Sequence, residues 1–300
     1  MWHPRVMRAP LPLFVVLLAY GCGTNPDLKS DSGDSGEMGP TSGTLRVLTY
    51  NVAGLPDGVS SAEGALLDRM PAIQALLADY DLVGLQEDFD PTGHAALTEG
   101  TSHAEVHWFS DTVDDERVYG SGLAQLLPKA AADYREEHYT DCNGVFDGAS
   151  DCLASKGFQA STLMLGGQAL DVLNTHHEAG GGSEDEAARL AQVDQVLAAI
   201  DTHSDGHALL MTGDFNLRPG DVEDEVPLAR YDDAGLVRAC DRIGCAEPNH
   251  IDQIRVRSSE TLSLEVLEWD RPTQFVTDDG VDLSDHPAVS AVIAWEAVGG

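Results

Sequence analysis

The chain has 300 residues, enough for one large domain or two small ones, and an apolar fraction of 42% that suffices for a real core. Acidic residues number 51 against 17 basic ones, a formal charge of −34. The basic residues form no run longer than the pairs Arg238/Arg242 and Arg255/Arg257, which speaks against a protein that grips nucleic acid along a basic stripe.

The first residues read as processing information. Arg5 and Arg8 precede an apolar run from Leu11 to Tyr20 that is too short to span a bilayer. Leu18-Ala-Tyr-Gly-Cys22 resembles a bacterial lipobox, in which the cysteine becomes the acylated first residue; an ordinary secretory signal is the alternative. Residues 1–21 are therefore expected as a signal peptide and 22–43 as a solvated tether of Asn, Asp, Ser, Gly and Pro. The folded domain is expected over 44–297, exported either as an outer-membrane lipoprotein held through Cys22 or as an extracellular protein. Cys142, Cys152, Cys240 and Cys245 allow three disulfide pairings, and local spacing favours Cys142–Cys152 and Cys240–Cys245.

Leu45–Asn51 opens the domain as a strand that stops at a carboxamide. Ser60 and Glu63 form a capping box for a helix carrying Leu66, Leu67 and Met70, which Pro71 restarts with Ile73, Leu76 and Leu77 on its buried face. Leu82–Glu87 is a second apolar strand ending in a carboxylate, followed by a loop through Asp88, Asp90 and Pro91. Residues 104–127 form two strands about a turn, and 129–156 is a long polar loop. Gly157–Leu165 and Gln168–Asn174 make a hairpin about Gly166-Gly167, running into Thr175-His176-His177. Ser183 with Glu186 caps a helix patterned by Leu190, Val193, Val196, Leu197 and Ile200. Ala208–Met211 is a buried strand that leads through Thr212-Gly213 to Asp214-Phe-Asn216. Strands at 251–256, 262–267 and 287–295 close the chain, with Ser284-Asp285-His286 before the last. Few helices and several hairpins suggest two sheets face to face with helices outside, although a doubly wound sheet fits the same order.

Each polar strand end has an ordinary reading of its own: a turn-forming Asn51, a solvated Glu87 or Asp252, a core histidine at 176 or 177, an Asx turn at Asp214/Asn216, a surface Lys156. Their types are nevertheless complementary. Phosphodiester hydrolysis needs hard oxygen ligands for a divalent cation, a histidine oriented by a carboxylate, and donors for charge building on phosphorus.

The ordered segments Thr-Tyr-Asn51, Leu-Gln-Glu87, Asn-Thr-His176, Gly-Asp214-Phe-Asn216, Ile-Asp252-Gln-Ile and Ser-Asp285-His286 resemble the endonuclease/exonuclease/phosphatase superfamily, over roughly residues 44–296. The resemblance implies an α/β fold of deoxyribonuclease I type, a four-layer sandwich, and metal-dependent phosphoester cleavage. It implies Mg²⁺, or another divalent cation such as Mn²⁺ or Co²⁺, held by Glu87 with Asn51 and Asp285. Asp214 and Asn216 would orient water and phosphate, His286 paired with Asp252 would act as base, and His176 would stabilise the transition state; which histidine is base stays open. Leu-Gln-Glu-Asp-Phe-Asp90 and Ser150-Asp-Cys-Leu-Ala-Ser-Lys-Gly157 are similar to the neutral sphingomyelinase branch, which places Lys156 beside the substrate. The implied substrate is a phospholipid at a membrane surface, sphingomyelin or a relative. An extracellular nuclease and a catalytically silent binding module are the alternatives. One departure is the lack of an aromatic membrane hairpin: residues 253–284 hold only Trp269 and Phe275 among many acids.

Overall fold

The computed structural model describes residues 40–114, 117–144 and 151–299. The expected signal peptide, Cys22 and nearly all of the expected tether lie outside these residues.

The elements run β1 (Ser42–Asn51), α1 (Leu66–Leu77), β2 (Leu82–Gln86), α2 (Pro91–Thr98), β3 (Glu105–Phe109), β4 (Leu123–Leu127) and β5 (Asp133–His138). Then come β6 (Gly157–Leu165), β7 (Gln168–His176), α3 (Ser183–His203), β8 (Ala208–Asp214), α4 (Glu225–Asp233) and β9 (Val237–Arg238). The last are α5 (Ala239–Ile243), β10 (Asp252–Arg257), β11 (Leu262–Asp270) and β12 (Val289–Ala297). The strands make two six-stranded sheets, in the orders β11-β12-β1-β2-β4-β3 and β5-β6-β7-β8-β10-β9.

Alternation along the strands sorts the apolar residues into three cores. Val47, Leu82, Val172, Leu210 and Ile254 meet between the sheets. Leu48, Tyr50, Val83 and Leu85 point the other way, onto Leu66, Met70, Ile73 and Leu77 of α1. Leu173, Leu209 and Met211 cover the opposite outer face with Val193, Val196 and Ile200 of α3 and Leu228 and Tyr231 of α4. The result is a four-layer α/β sandwich, in which each fully buried Leu, Ile or Val contributes about 1.5–3 kcal/mol of transfer free energy.

Several local expectations change. Strand β1 begins at Ser42, inside the expected tether, because Ser42 and Gly43 pair with Glu296 and Trp295 of β12. The Ser60/Glu63 box does not form: Ser60 Oγ donates to Ala53 O, and Asp57 Oδ1 takes the Leu66 N–H instead. Pro71 lies inside one continuous helix rather than starting a second. It leaves the Leu67 carbonyl without its intrahelical donor, and Leu67 is exposed, where water can serve that oxygen. The loop after Glu87 instead folds into α2, with Asp90 Oδ1 accepting from Thr92 N and Gly93 N and Pro91 in the first helical position. The Ser183 box shifts by one residue: Gly182 is the cap, and its N–H donates to Asp185 Oδ2 at 2.9 Å. Within 129–156 the chain makes the edge strand β5.

The hairpin stands as read, with Gly166 and Gly167 both at positive φ. Both favoured disulfides, Cys142–Cys152 and Cys240–Cys245, are present. No described helix is long and apolar enough to cross a membrane.

Candidate active site

Parallel pairing brings the strand ends to one edge. Asn51 pairs with Gln86, just before Glu87, and His176 pairs with Asp214; the antiparallel neighbour β10 then sets Asp252 opposite Asp214. Three non-glycine residues among those described have positive φ, namely Ala53, Glu87 and Asn216, all at this edge. Such backbone is costly for residues with a Cβ, and it clusters at functional sites. Gly54 allows the turn after β1: its N–H donates to Glu87 O at 2.9 Å, and a Cβ there would collide with that carbonyl.

Asn51 is fully buried and joins the two sheets. Its Nδ2 donates to Glu87 Oε1 at 2.9 Å and to Asp214 Oδ2 at 3.1 Å. Asp214 is buried too, and its Oδ1 accepts the Asn216 N–H at 3.0 Å. Asn216 Nδ2 and Lys156 Nζ both donate to the His177 carbonyl, at 3.1 and 2.9 Å. His286 Nδ1 lies 3.1 and 3.2 Å from the two oxygens of Asp252 and 3.7 Å from Asp214 Oδ2. His176 Nε2 stands 3.5 Å from Asp214 Oδ2, while its buried Nδ1 has no partner among the described residues.

The expected residues are thus joined in one web, which Asp285 meets through Ser284 Oγ at 3.4 Å. Asp285 is exposed and accepts from Ser61 Oγ, at the rim. Sequence reasoning missed the residues that hold this rim. Ser284 Oγ donates to Asn51 O at 2.7 Å. Buried Arg69 ties the two flanking loops through Val52 O, Ala53 O and Leu283 O. An arginine inside an apolar helix face was the available signal, since a buried guanidinium must find acceptors.

The electrostatics follow from burial. Glu87 is raised by desolvation, offset by the Asn51 bond and Lys156. Asp214 is pushed up to about 6 by burial and then by the charge of Asp252. Burial alone would lower His286, but the Asp252 bond and the charges of Asp252, Asp214 and Asp285 outweigh it and raise it to about 10. His176 falls well below its ordinary value through burial, then through Lys156 and His286.

Asp214, Asp252 and His286 offer ligand atoms within 4.8 Å of one another. Two buried carboxylates, with Glu87 and the Asn51 carboxamide beside them, form an oxygen-rich, anion-heavy set that fits a divalent cation. Beside His286 a cavity of about 590 Å³ carries Arg218 and Arg271, but each is paired, with Asp221 at 3.7 Å and Glu247 at 2.6 Å, so the groove is not a basic one. Trp269 packs against the inter-sheet core and His250, and Phe275 is buried, so neither makes an exposed membrane anchor.

His177 reads as a core histidine and is one. It is fully buried with Nε2 2.8 Å from Tyr231 Oη, and burial lowers it from 6.5 to about 3. A depressed histidine favours the fold only while neutral. Stability is therefore complete above pH 6.5 and declines as pH falls toward 3, by roughly 5 kcal/mol in the limit. His177→Phe should flatten this acid limb in urea unfolding between pH 6 and 4; an unchanged slope would assign the limb elsewhere.

The model of the Endonuclease/Exonuclease/phosphatase family matches residues 48–286, which include every strand end described above. The chain belongs to that family. A sphingomyelinase of Mycobacterium tuberculosis is 30% identical to this family member over 274 residues, 83% of this chain and 52% of the relative. The chain thus spans about half the length of the curated relatives it matches. Beta toxin from Staphylococcus aureus with bound magnesium ions superposes with a TM-score of 0.60 at 17% identity, covering 83% of this chain and 99% of the toxin. TDP2 from D. rerio, complexed with a single-strand DNA product, gives 0.62 at 18% identity, over 83% and 98%. At such identities the two structures share the family fold and leave the substrate undecided.

Proposed function

We propose that the chain is a divalent-cation-dependent phosphodiesterase of the sphingomyelinase type, cleaving sphingomyelin or a related phospholipid at a membrane surface and releasing phosphocholine. The observation that carries the reading is His286 held by Asp252 beside the buried Asn51–Asp214 bridge, in a chain 30% identical to sphingomyelinases. Exposed Val59, Val113 and Val118, on the loops after β1 and β3 at the same edge, suit an apolar substrate better than a nucleic acid.

Glu87 and Asn51, with Asp214 and the rim carboxylate Asp285, would hold the cation: Mg²⁺, Mn²⁺ or Co²⁺. Once bound it supplies Lewis acidity toward the phosphoryl oxygens. The residues do the rest. His286 has the oriented carboxylate and partial exposure that a base needs, whereas His176 is buried away from solvent. The charge of a bound cation would offset the carboxylates that raise His286, and the neutral ring would then take the water proton on Nε2. Asp214 and Asn216 align water and phosphate, and His176, Asn51 and Lys156 face the charge that grows on phosphorus. The new bond joins water oxygen to phosphorus, and the bond to the lipid alcohol oxygen breaks.

Residues 1–21 as a signal and Cys22 as a membrane tether fit this reading, as do the two disulfides, which persist in oxidising compartments. The test offers the full chain sphingomyelin, phosphatidylcholine and plasmid DNA side by side with Mg²⁺. Phosphocholine release that is abolished by chelation supports the proposal. Plasmid nicking without lipid turnover would make it a nuclease, and silence on all three a binding module.

A further inference from the structure

Along the facing surfaces of the two sheets the packing changes character. Away from the site the facing residues are apolar: Val47, Leu82, Val172, Leu210. One step closer they are polar or glycine: Thr49 pairs with Gly84, Asn174 with Thr212, and Gln86 lies alongside. Two residues further along β1, β7 and β8 stand Asn51, His176 and Asp214. A polar layer therefore lies directly beneath the reactive groups.

Asn174 is at its centre, fully buried, with every side-chain valence used. Its Nδ2 donates to Leu85 O at 2.9 Å and Ala124 O at 3.1 Å, carbonyls of two adjacent strands in the opposite sheet. Its Oδ1 accepts from Gln86 Nε2 at 2.7 Å and from Thr212 Oγ1 at 3.1 Å. Gln86 Nε2 reaches Thr49 Oγ1 as well, at 3.1 Å. Packed sheets ordinarily stand about 10 Å apart. Here they come closer: a Cβ on Gly84 would overlap Thr212 Oγ1 and lie 2.8 Å from Asn174 Oδ1. Only such an approach lets the short Asn51 side chain touch Glu87 of one sheet and Asp214 of the other. Apolar contact is non-directional and would leave this spacing loose, whereas three directed hydrogen bonds across the gap fix it, with Thr212 bracing Asn174 from its own sheet.

We propose that Asn174 is a positioning residue: with Gln86 and Thr212 it clamps the sheets at the separation that puts Asn51 and Glu87 within reach of Asp214 and His176. The proposal rests on the reading of those groups as the reaction centre.

The test uses Asn174→Ser and Gln86→Met in the full chain, measuring kcat, KM, thermal unfolding and direct Mn²⁺ binding by electron paramagnetic resonance. Each folded variant should lose about a hundredfold in kcat with KM nearly unchanged, because misplacement by an ångström acts on the transition state. Mn²⁺ should bind about tenfold more weakly, as when outer partners of ligands are lost. Gly84→Ala should act in the same direction, since its Cβ would press on Thr212 and Asn174. A folded Asn174→Ser with kcat and Mn²⁺ affinity within about threefold of the parent would overturn the clamp; should that variant not fold, Gln86→Met decides on the same criterion. A parent protein that turns over no phosphodiester would instead sink the functional reading, and the Mn²⁺ affinities would still judge the clamp.

Discussion

Asp214→Asn should lower kcat by about a thousandfold while making the cation-free protein more stable above pH 6. The two effects share one cause. Burial, and then the charge of Asp252, push Asp214 up from 3.8 to about 6, so the fold prefers the neutral acid. A carboxyl group raised in this way costs stability as pH climbs from 3.8 through 6, worth about 3 kcal/mol in the limit. Asparagine cannot ionise and escapes that cost. It gives back part of the gain by disturbing the bonds from Asn51 Nδ2 and Asn216 N, so the net stabilisation should be about 1–2 kcal/mol. Phosphodiester turnover and urea unfolding at pH 8 with chelator check both halves. A variant with the parent's rate would remove Asp214 from the chemistry. One that is less stable at pH 8 would show that its charge is already compensated.

His286→Gln should cost about 10³-fold in kcat, and Asp252→Asn somewhat less, because the first removes the proton acceptor and the second only its orientation. The pH dependence separates them further. Asp252 supplies the hydrogen bond and the largest charge effect that outweigh burial and lift His286 to about 10. Without that anion the imidazole loses its proton more readily, so the acid limb of kcat/KM should move to lower pH in Asp252→Asn. In His286→Gln that limb should vanish. A limb that stays in place in both variants would assign the base to another group, with His176 the next to test.

The strand ends were legible because each combined an apolar run with a polar stop, and parallel pairing does the rest of the assembly. Asn51, Glu87, His176 and Asp214 could be read this way without knowing the strand order, whereas Asp252 opens its strand and is brought in by antiparallel pairing. The pieces that escaped carry no such mark. Strand β5, Asp-Tyr-Arg-Glu-Glu-His, has scarcely an apolar residue, since it is a sheet edge paired on one side only. Helix α2 did carry a signal, Asp90-Pro91, which is as good a helix start as it is a loop. Thr49, Gln86, Asn174 and Thr212 look like ordinary polar residues in β-strands. Their role depends on which face meets the other sheet, and only the three-dimensional packing supplies that.

Strand β12 lies between β1 and β11, so the first strand of the domain is completed by the last. Asp285 and His286 sit a few residues before it, on the segment it anchors. A ribosome must deliver every residue from β1 to β12 before β1 acquires this neighbour. A polypeptide cut short before β12 should therefore leave β1 without this neighbour and His286 without its anchor.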